Sequence, residues 1–319
     1  MIKDLFYLLR VPNLIFITIL LYVMENWVAV PILNLAGIEG LLPWWIFTLL
    51  TVATVLVAAG GYVINDYFDV KIDRINRPDQ LVVTRSITKE QTMYLFIGLT
   101  LSGIILGLCG SAILRSSTLA GIYILTPGLL WFYSSSYKRQ FIIGNLIIGF
   151  CSAVTPLLIA IANACLLVQE FGKQMEFAPL SILLYAWLGG FSVFAFFCTW
   201  IREIIKDLQD QKGDREMECH TIPIKLGNTW AKIIVTILIV FVMGAIVYLN
   251  YNVLPFDHSW NSFSTRYVRY GLLIPLICEL VLLWSARTPN DYKNSQGLMK
   301  FIMMLGVLYS FVILKQLVV

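Results

Sequence analysis

Nine apolar runs punctuate the 319-residue chain, near residues 13–33, 44–65, 91–110, 117–134, 141–163, 179–200, 230–250, 268–285 and 299–318. Each approaches or exceeds the roughly 20 residues of helix that a bilayer core requires. Lipid offers the backbone no hydrogen bonds, so a crossing segment must satisfy its own amides, and runs of this kind do so as α-helices. The expectation is an all-α, polytopic membrane protein with nine transmembrane helices. Composition agrees: 59% of residues are apolar and 13% charged, whereas a soluble domain is about 25% charged. A soluble fold of this length could not bury so much apolar surface. No polar stretch is long enough for a second domain, so residues 1–319 read as one transmembrane domain. The opening MIKDLFYLLRVPN, with Asp4 and Arg10, reads as the start of a retained helix rather than a cleaved signal. Glu25 and Asn26 suggest that the first span breaks or reaches the far interface early.

Charge orients the spans. With nine crossings and the N-terminus inside, eighteen Lys and Arg residues fall on the inner side and five on the outer. This bias places the N-terminus in the cytoplasm of an integral, multi-pass cell-membrane protein. The six cysteines form no CxxC pair and read as small buried hydrophobes. His220 and His258 stand alone, so neither a zinc site nor a disulfide framework is expected. The modest net charge of +4 is spread along the inner segments, and nucleic acid is not an expected partner.

The inner loops expected near 66–90 and 201–229 are the longest polar stretches, and they carry the chemistry. One holds Asp66, Asp69 and Asp73; the other holds Asp207, Asp210 and Asp214. Both sets follow the spacing i, i+3, i+7, which places three carboxylates on one helix face. Three such charges at a membrane boundary repel one another unless cations neutralise them. Hard divalent ions suit the purpose, and magnesium commonly combines one or two carboxylates with water and phosphate oxygens. A single motif could be a solvated helix end. Two of equal spacing on one predicted side of the membrane point to magnesium ions around a diphosphate. Arg202 and Lys206 precede the second motif, Arg74 and Arg77 follow the first, and Lys138 and Arg139 follow Tyr133. Singly these are positive-inside residues; together they can neutralise phosphate oxygens. Aromatic rings at Phe191–Trp200, Trp131, Phe132 and Tyr133 are either packing residues or cation-stabilising faces.

Asn65-Asp66-Tyr67-Phe68-Asp69-Val70-Lys71-Ile72-Asp73 and Asp207-Leu208-Gln209-Asp210-Gln211-Lys212-Gly213-Asp214 resemble the NDxxDxxxD and DxxDxxxD signatures of the UbiA superfamily of intramembrane prenyltransferases. Asn13 after Pro12, and Tyr133 with Lys138 and Arg139, also stand where that family has such residues. The resemblance implies nine helices around a central cavity with cytoplasmic cap loops. It further implies that Mg2+ bridges the six aspartates to a prenyl diphosphate whose chain lies in an apolar tunnel open to lipid. By position, Asn13, Asn65, Arg77, Tyr133, Lys138, Arg139, Arg202 and Lys206 become substrate-binding candidates, and the six aspartates become catalytic and metal-binding candidates. REIIKD and NDYFDVKIDRINRP are most similar to the digeranylgeranylglyceryl phosphate synthase branch, which implies a hydrophobic lipid acceptor. The chain departs from that branch after Pro78, where Asp79-Gln80-Leu81-Val82-Val83-Thr84-Arg85 replaces the branch's usual DRPIPSG. Three other readings stay open on the residues: prenyl transfer to an aromatic ring, a CDP-alcohol phosphotransferase, and a cation transporter. The phosphotransferase would carry one motif with an embedded Gly and Ala-Arg. The transporter would place its carboxylates near mid-membrane on broken helices.

Overall fold

The computed structural model describes residues 2–78, 81–253, 259–260 and 262–318. Among these, regular structure is helical, apart from an isolated bridge between Val83 and Ile87. In chain order the helices are α1 (Ile2–Leu8), α2 (Val11–Asn34), α3 (Trp44–Asn76), α4 (Lys89–Ile113), α5 (Ser117–Ser135), α6 (Ile143–Phe171), α7 (Pro179–Glu216), α8 (Ile222–Leu226), α9 (Asn228–Val253), α10 (Phe263–Ser285) and α11 (Pro289–Val318). Eight of them are long and apolar enough to span a membrane. The ninth expected span is α5, whose 19 residues carry no charge but whose Ser, Thr, Gly and Pro residues dilute its hydropathy. The first span does not break. It accommodates Glu25 and Asn26 in a π-helical stretch, Met24–Ala29, inside α2.

Helix starts follow from local chemistry. Thr88 and Gln91 form a reciprocal capping box at α4. The Ser116 hydroxyl accepts the Leu119 amide at the start of α5, and Ser262 does the same for Thr265 at α10. Gly227, at φ 85, makes the turn between α8 and α9 in a conformation open to glycine and costly for other residues.

The chain divides into two compact units. The first comprises residues 1–138 and 154–190, the second residues 139–153 and 191–319. Helices α6 and α7 each contribute a segment to both. In the first unit, α3, α4 and α5 pack on one another around Leu50, Ala53, Val57, Leu119 and Tyr123. Small residues let the backbones approach: a Cβ at Gly103 would stand 2.8 Å from Val57 Cγ2 and 3.0 Å from the Ala53 carbonyl oxygen. In lipid such close packing takes over the role that water exclusion plays in soluble cores. A second core, Leu8, Val63, Val70, Val82 and Val83, supports the C-terminal half of α3. In the second unit, Ile201, Ile204, Ile205 and Leu208 of α7 pack with Ile222, Ala231, Leu276 and Met299. Long apolar side chains elsewhere on these helices point outward, Ile105, Ile237 and Val281 among them. Water would not tolerate them; lipid does. The cysteines correct the expectation of uniform burial. Cys198 and Cys219 are buried, but Cys109 and Cys278 lie on the outer faces of apolar helices, where lipid solvates a thiol as readily as a core does. His258 and the Asp79-Gln80 pair of the departure lie outside the described residues.

Candidate active site

Both acidic motifs are helical throughout. The sequence suggests polar segments starting near 66 and 201, but α3 continues to Asn76 and α7 to Glu216. Each helix outlasts its apolar run by about three to four turns, and the aspartates ride on that extension. Asp73 and Asp214 fall in the last turn, where the helix dipole is negative and a carboxylate is disfavoured. Such placement is tolerable only where donors or cations meet the charge.

In the first unit the donors come from three directions. Asn65 Nδ2 donates to Asp69 Oδ2 at 2.7 Å from one turn away. Lys138, from the 3-10 turn after α5, donates to the same oxygen and lies 3.5 Å from Asn65 Oδ1. Arg10 Nη2 donates to Asp66 Oδ1 at 2.8 Å while its guanidinium lies over the Tyr62 ring. Asp69 is 4% exposed and Asn65 is also buried. Burial works against the Lys138 ammonium, but the adjacent Asp69, Tyr133 and Asp73 outweigh it and hold the lysine above its ordinary value. Lys138 therefore stays charged at any physiological pH. Tyr133 is buried near it. Phe68 of the motif meets Trp131 edge-on at 5.6 Å, and Phe96 lies 5.4 Å from the same indole. Asn13 lies on α2, one turn beyond Arg10, and its amide donates to the Arg10 carbonyl. Arg77 follows α3 directly, with its amide on the Asp73 carbonyl.

In the second unit, Asn145 Nδ2 at the start of α6 donates to Asp207 Oδ2 at 2.9 Å. Thr221 Oγ1 donates to Asp214 Oδ2 at 3.4 Å. The positions between the aspartates serve as ties: Gln209 accepts from Gln296 of α11, and Gln211 donates to Asn228 at the start of α9. Arg202 and Lys206 both meet Glu203, at 2.6 and 3.5 Å. Glu203 is 5% exposed and stands one turn before Asp207. Arg139 is exposed, and its carbonyl accepts the His220 amide.

Arg10, Asn145 and Glu203 escape sequence reasoning as site residues. Arg10 resembles any positive-inside residue. Its non-glycine left-handed backbone, φ 49, has no sequence signal. Asn145 and Glu203 lack a spacing that distinguishes them from ordinary helix-end polar groups.

The donor set fits magnesium. It consists of carboxylate and carboxamide oxygens, the hard ligands that magnesium takes. Among the described residues no three His, Cys, Asp or Glu side chains converge into a ready cage. A metal that takes one or two carboxylates and completes its shell with water and phosphate does not need one.

Comparison with known proteins places this geometry in a family. The profile of the UbiA prenyltransferase family matches residues 26–312. A digeranylgeranylglyceryl phosphate synthase of Methanosphaera stadtmanae is 30% identical over 262 residues, covering 81% of this chain and 83% of the relative. One from Ignicoccus hospitalis is 28% identical over 253 residues, covering 79% and 76%. Among solved structures, a UbiA homologue from Aeropyrum pernix K1 superposes with a TM-score of 0.63 at 13% identity, covering 97% of both chains. A homologue from Archaeoglobus fulgidus, bound to GPP and Mg2+, gives 0.60 at 14% identity over 98% of this chain and 99% of that one. The likeness extends through the full helical order, so the fold is that of the UbiA homologues. The chain belongs to the UbiA prenyltransferase family.

Proposed function

We propose that this protein transfers a geranylgeranyl-type prenyl group from a prenyl diphosphate to a hydroxyl of a lipid acceptor such as geranylgeranylglyceryl phosphate, with magnesium as cofactor. One observation carries the reading. The same i, i+3, i+7 row of aspartates ends two long membrane helices, and each row is held by donors from other elements. The relatives named digeranylgeranylglyceryl phosphate synthase support the choice of acceptor.

In this reading Asp66, Asp69 and Asp73 would hold magnesium in the first unit and Asp207, Asp210 and Asp214 in the second, and Asn65 fixes the Asp69 carboxylate. Bound magnesium supplies Lewis-acid withdrawal of charge from the diphosphate. Lys138 and Arg77 in the first unit, and Arg139, Arg202 and Lys206 in the second, are the candidates for phosphate oxygens, with Asn13 and Tyr133 as further candidate substrate contacts. Lys138, which donates to Asp69 here, would be the nearest ammonium for a phosphate oxygen with Asp69 serving as a magnesium ligand. The allylic C1–O bond then breaks, diphosphate departs, and the acceptor oxygen bonds to C1. A motif aspartate accepts the hydroxyl proton. Trp131, Phe68 and Phe96 present ring faces and edges that keep water out and tolerate positive charge. The active residues and the N-terminus lie on the cytoplasmic side, and residues 1–319 form a single catalytic domain.

Asp66→Ala and Asp210→Ala test the metal assignment. Both should lose nearly all turnover with prenyl diphosphate while still eluting as folded protein in detergent. Near-normal turnover in both would sink it.

A further inference from the structure

The two motifs share a spacing but not a support. Asn65 occupies the position directly before the first aspartate of its motif, and it steadies Asp69 from the same helix at 2.7 Å. The matching position before Asp207 is Lys206, and that lysine reaches back to Glu203. The second motif thus has no carboxamide of its own at this place. Asn145 supplies one from α6, 62 positions away, with Nδ2 on Asp207 Oδ2 at 2.9 Å. It is 7% exposed.

The kind of donor matters. A lysine or arginine on Asp207 would offset its charge and compete with a metal ion for it. A carboxamide fixes one oxygen and leaves the charge in place for a cation. Arg202 and Lys206 are the cations that precede Asp207 on α7, and Glu203 engages both. Thr221 offers Asp214 the same kind of neutral support. We propose that Asn145 is a positioning residue for the second acidic motif: its carboxamide orients Asp207 as a magnesium ligand, in the role that Asn65 plays for Asp69. The proposal rests on the reading that the aspartates bind magnesium.

Residues that orient a metal ligand from behind typically contribute about 10–100-fold to metal affinity or activity. The test is Mn2+ titration of the full-length protein in detergent, followed by electron paramagnetic resonance, with no prenyl substrate present. Asn145→Leu keeps the side-chain volume and deletes the donor, and Asn145→Ser retains a short hydroxyl in case the leucine variant does not fold. Asp207→Asn is titrated beside them. The expected result is Mn2+ affinity weakened about 10–100-fold in the leucine variant. The serine variant should fall between it and the parent. Unchanged affinity in whichever Asn145 variant folds, with affinity lost in Asp207→Asn, overturns the role of Asn145 and leaves the metal reading standing. Unchanged affinity in Asp207→Asn overturns the metal reading of that aspartate and the proposal with it. A large fall in metal-free melting temperature with no change in affinity assigns Asn145 to packing and also overturns it.

Discussion

Lys138 pairs with Asp69 in this structure, and the proposed function gives the same lysine a second partner in the diphosphate. The pair is nearly buried, and Asn65 shares the same carboxylate. Deleting one partner of such a pair costs about 3–5 kcal/mol, because the remaining charge is stranded. Lys138→Met should therefore melt at a lower temperature than the parent without metal. Added Mg2+ should raise the variant's melting temperature by more than the parent's, since the ion replaces the missing charge on Asp69. A thermal melt with and without Mg2+ reads both effects; equal shifts in the two proteins would disconnect Asp69 from the metal. Turnover of the same variant should fall by about 10²–10³, the usual effect of removing one donor from a developing anion. The sequence makes Lys138 a candidate because it stands beside Arg139 at an inner helix end, yet it does not choose between them. The structure separates them: Lys138 turns to Asp69, whereas the Arg139 side chain is exposed. Side-chain direction at a short 3-10 turn depends on tertiary packing, which carries no periodic signal.

At the scale of the element, hydropathy predicts where helices lie and fails at the ends that carry the acidic motifs. Every expected span has its helix, and even α5, with its diluted hydropathy, starts at the Ser116 cap. The apolar runs end near 65 and 200, but α3 and α7 continue into polar sequence to Asn76 and Glu216. The extension is amphipathic: Val70 and Ile72 are buried on α3, and Ile204, Ile205 and Leu208 on α7. A span-length window reads such segments as loop because it averages over charge. The π stretch in α2 is likewise illegible, since one extra residue in a helical turn leaves no compositional trace. Packing between α3 and α4 makes a sharper prediction. A side chain at Gly103 meets Val57 and the Ala53 carbonyl, and backbone cannot step aside. Gly103→Leu should lower stability by about 1–3 kcal/mol, the usual cost of overpacking, visible as a lower melting temperature in detergent. Gly98 has open space around its missing Cβ, so Gly98→Ala should melt with the parent. Because helix propensity favours both replacements over glycine, an equal loss at both positions would contradict the assignment of the Gly103 effect to its contact with α3.

At the scale of the whole chain, charge distribution predicts an orientation that single cysteines can read. Arg85→Cys and Lys212→Cys should react with a membrane-impermeant maleimide only when the cytoplasmic face is open, and Lys173→Cys only from the opposite face. Reaction of Arg85→Cys and Lys212→Cys from opposite faces would separate the two motifs and end the account. The family is legible in the sequence because two nine-residue and eight-residue motifs carry most of its specificity. The acceptor is less so, because it is recognised by side chains scattered over helix ends that no spacing links. The most direct test of the central claim supplies purified protein with Mg2+ and radiolabelled geranylgeranyl diphosphate. One set of tubes contains geranylgeranylglyceryl phosphate; others contain 4-hydroxybenzoate, homogentisate or dihydroxynaphthoate. The account predicts a labelled diether lipid in the first set alone, lost on EDTA treatment. A labelled ring product without the diether would keep the prenyl transfer and contradict the acceptor, and a diether formed undiminished in EDTA would contradict the role of the aspartates.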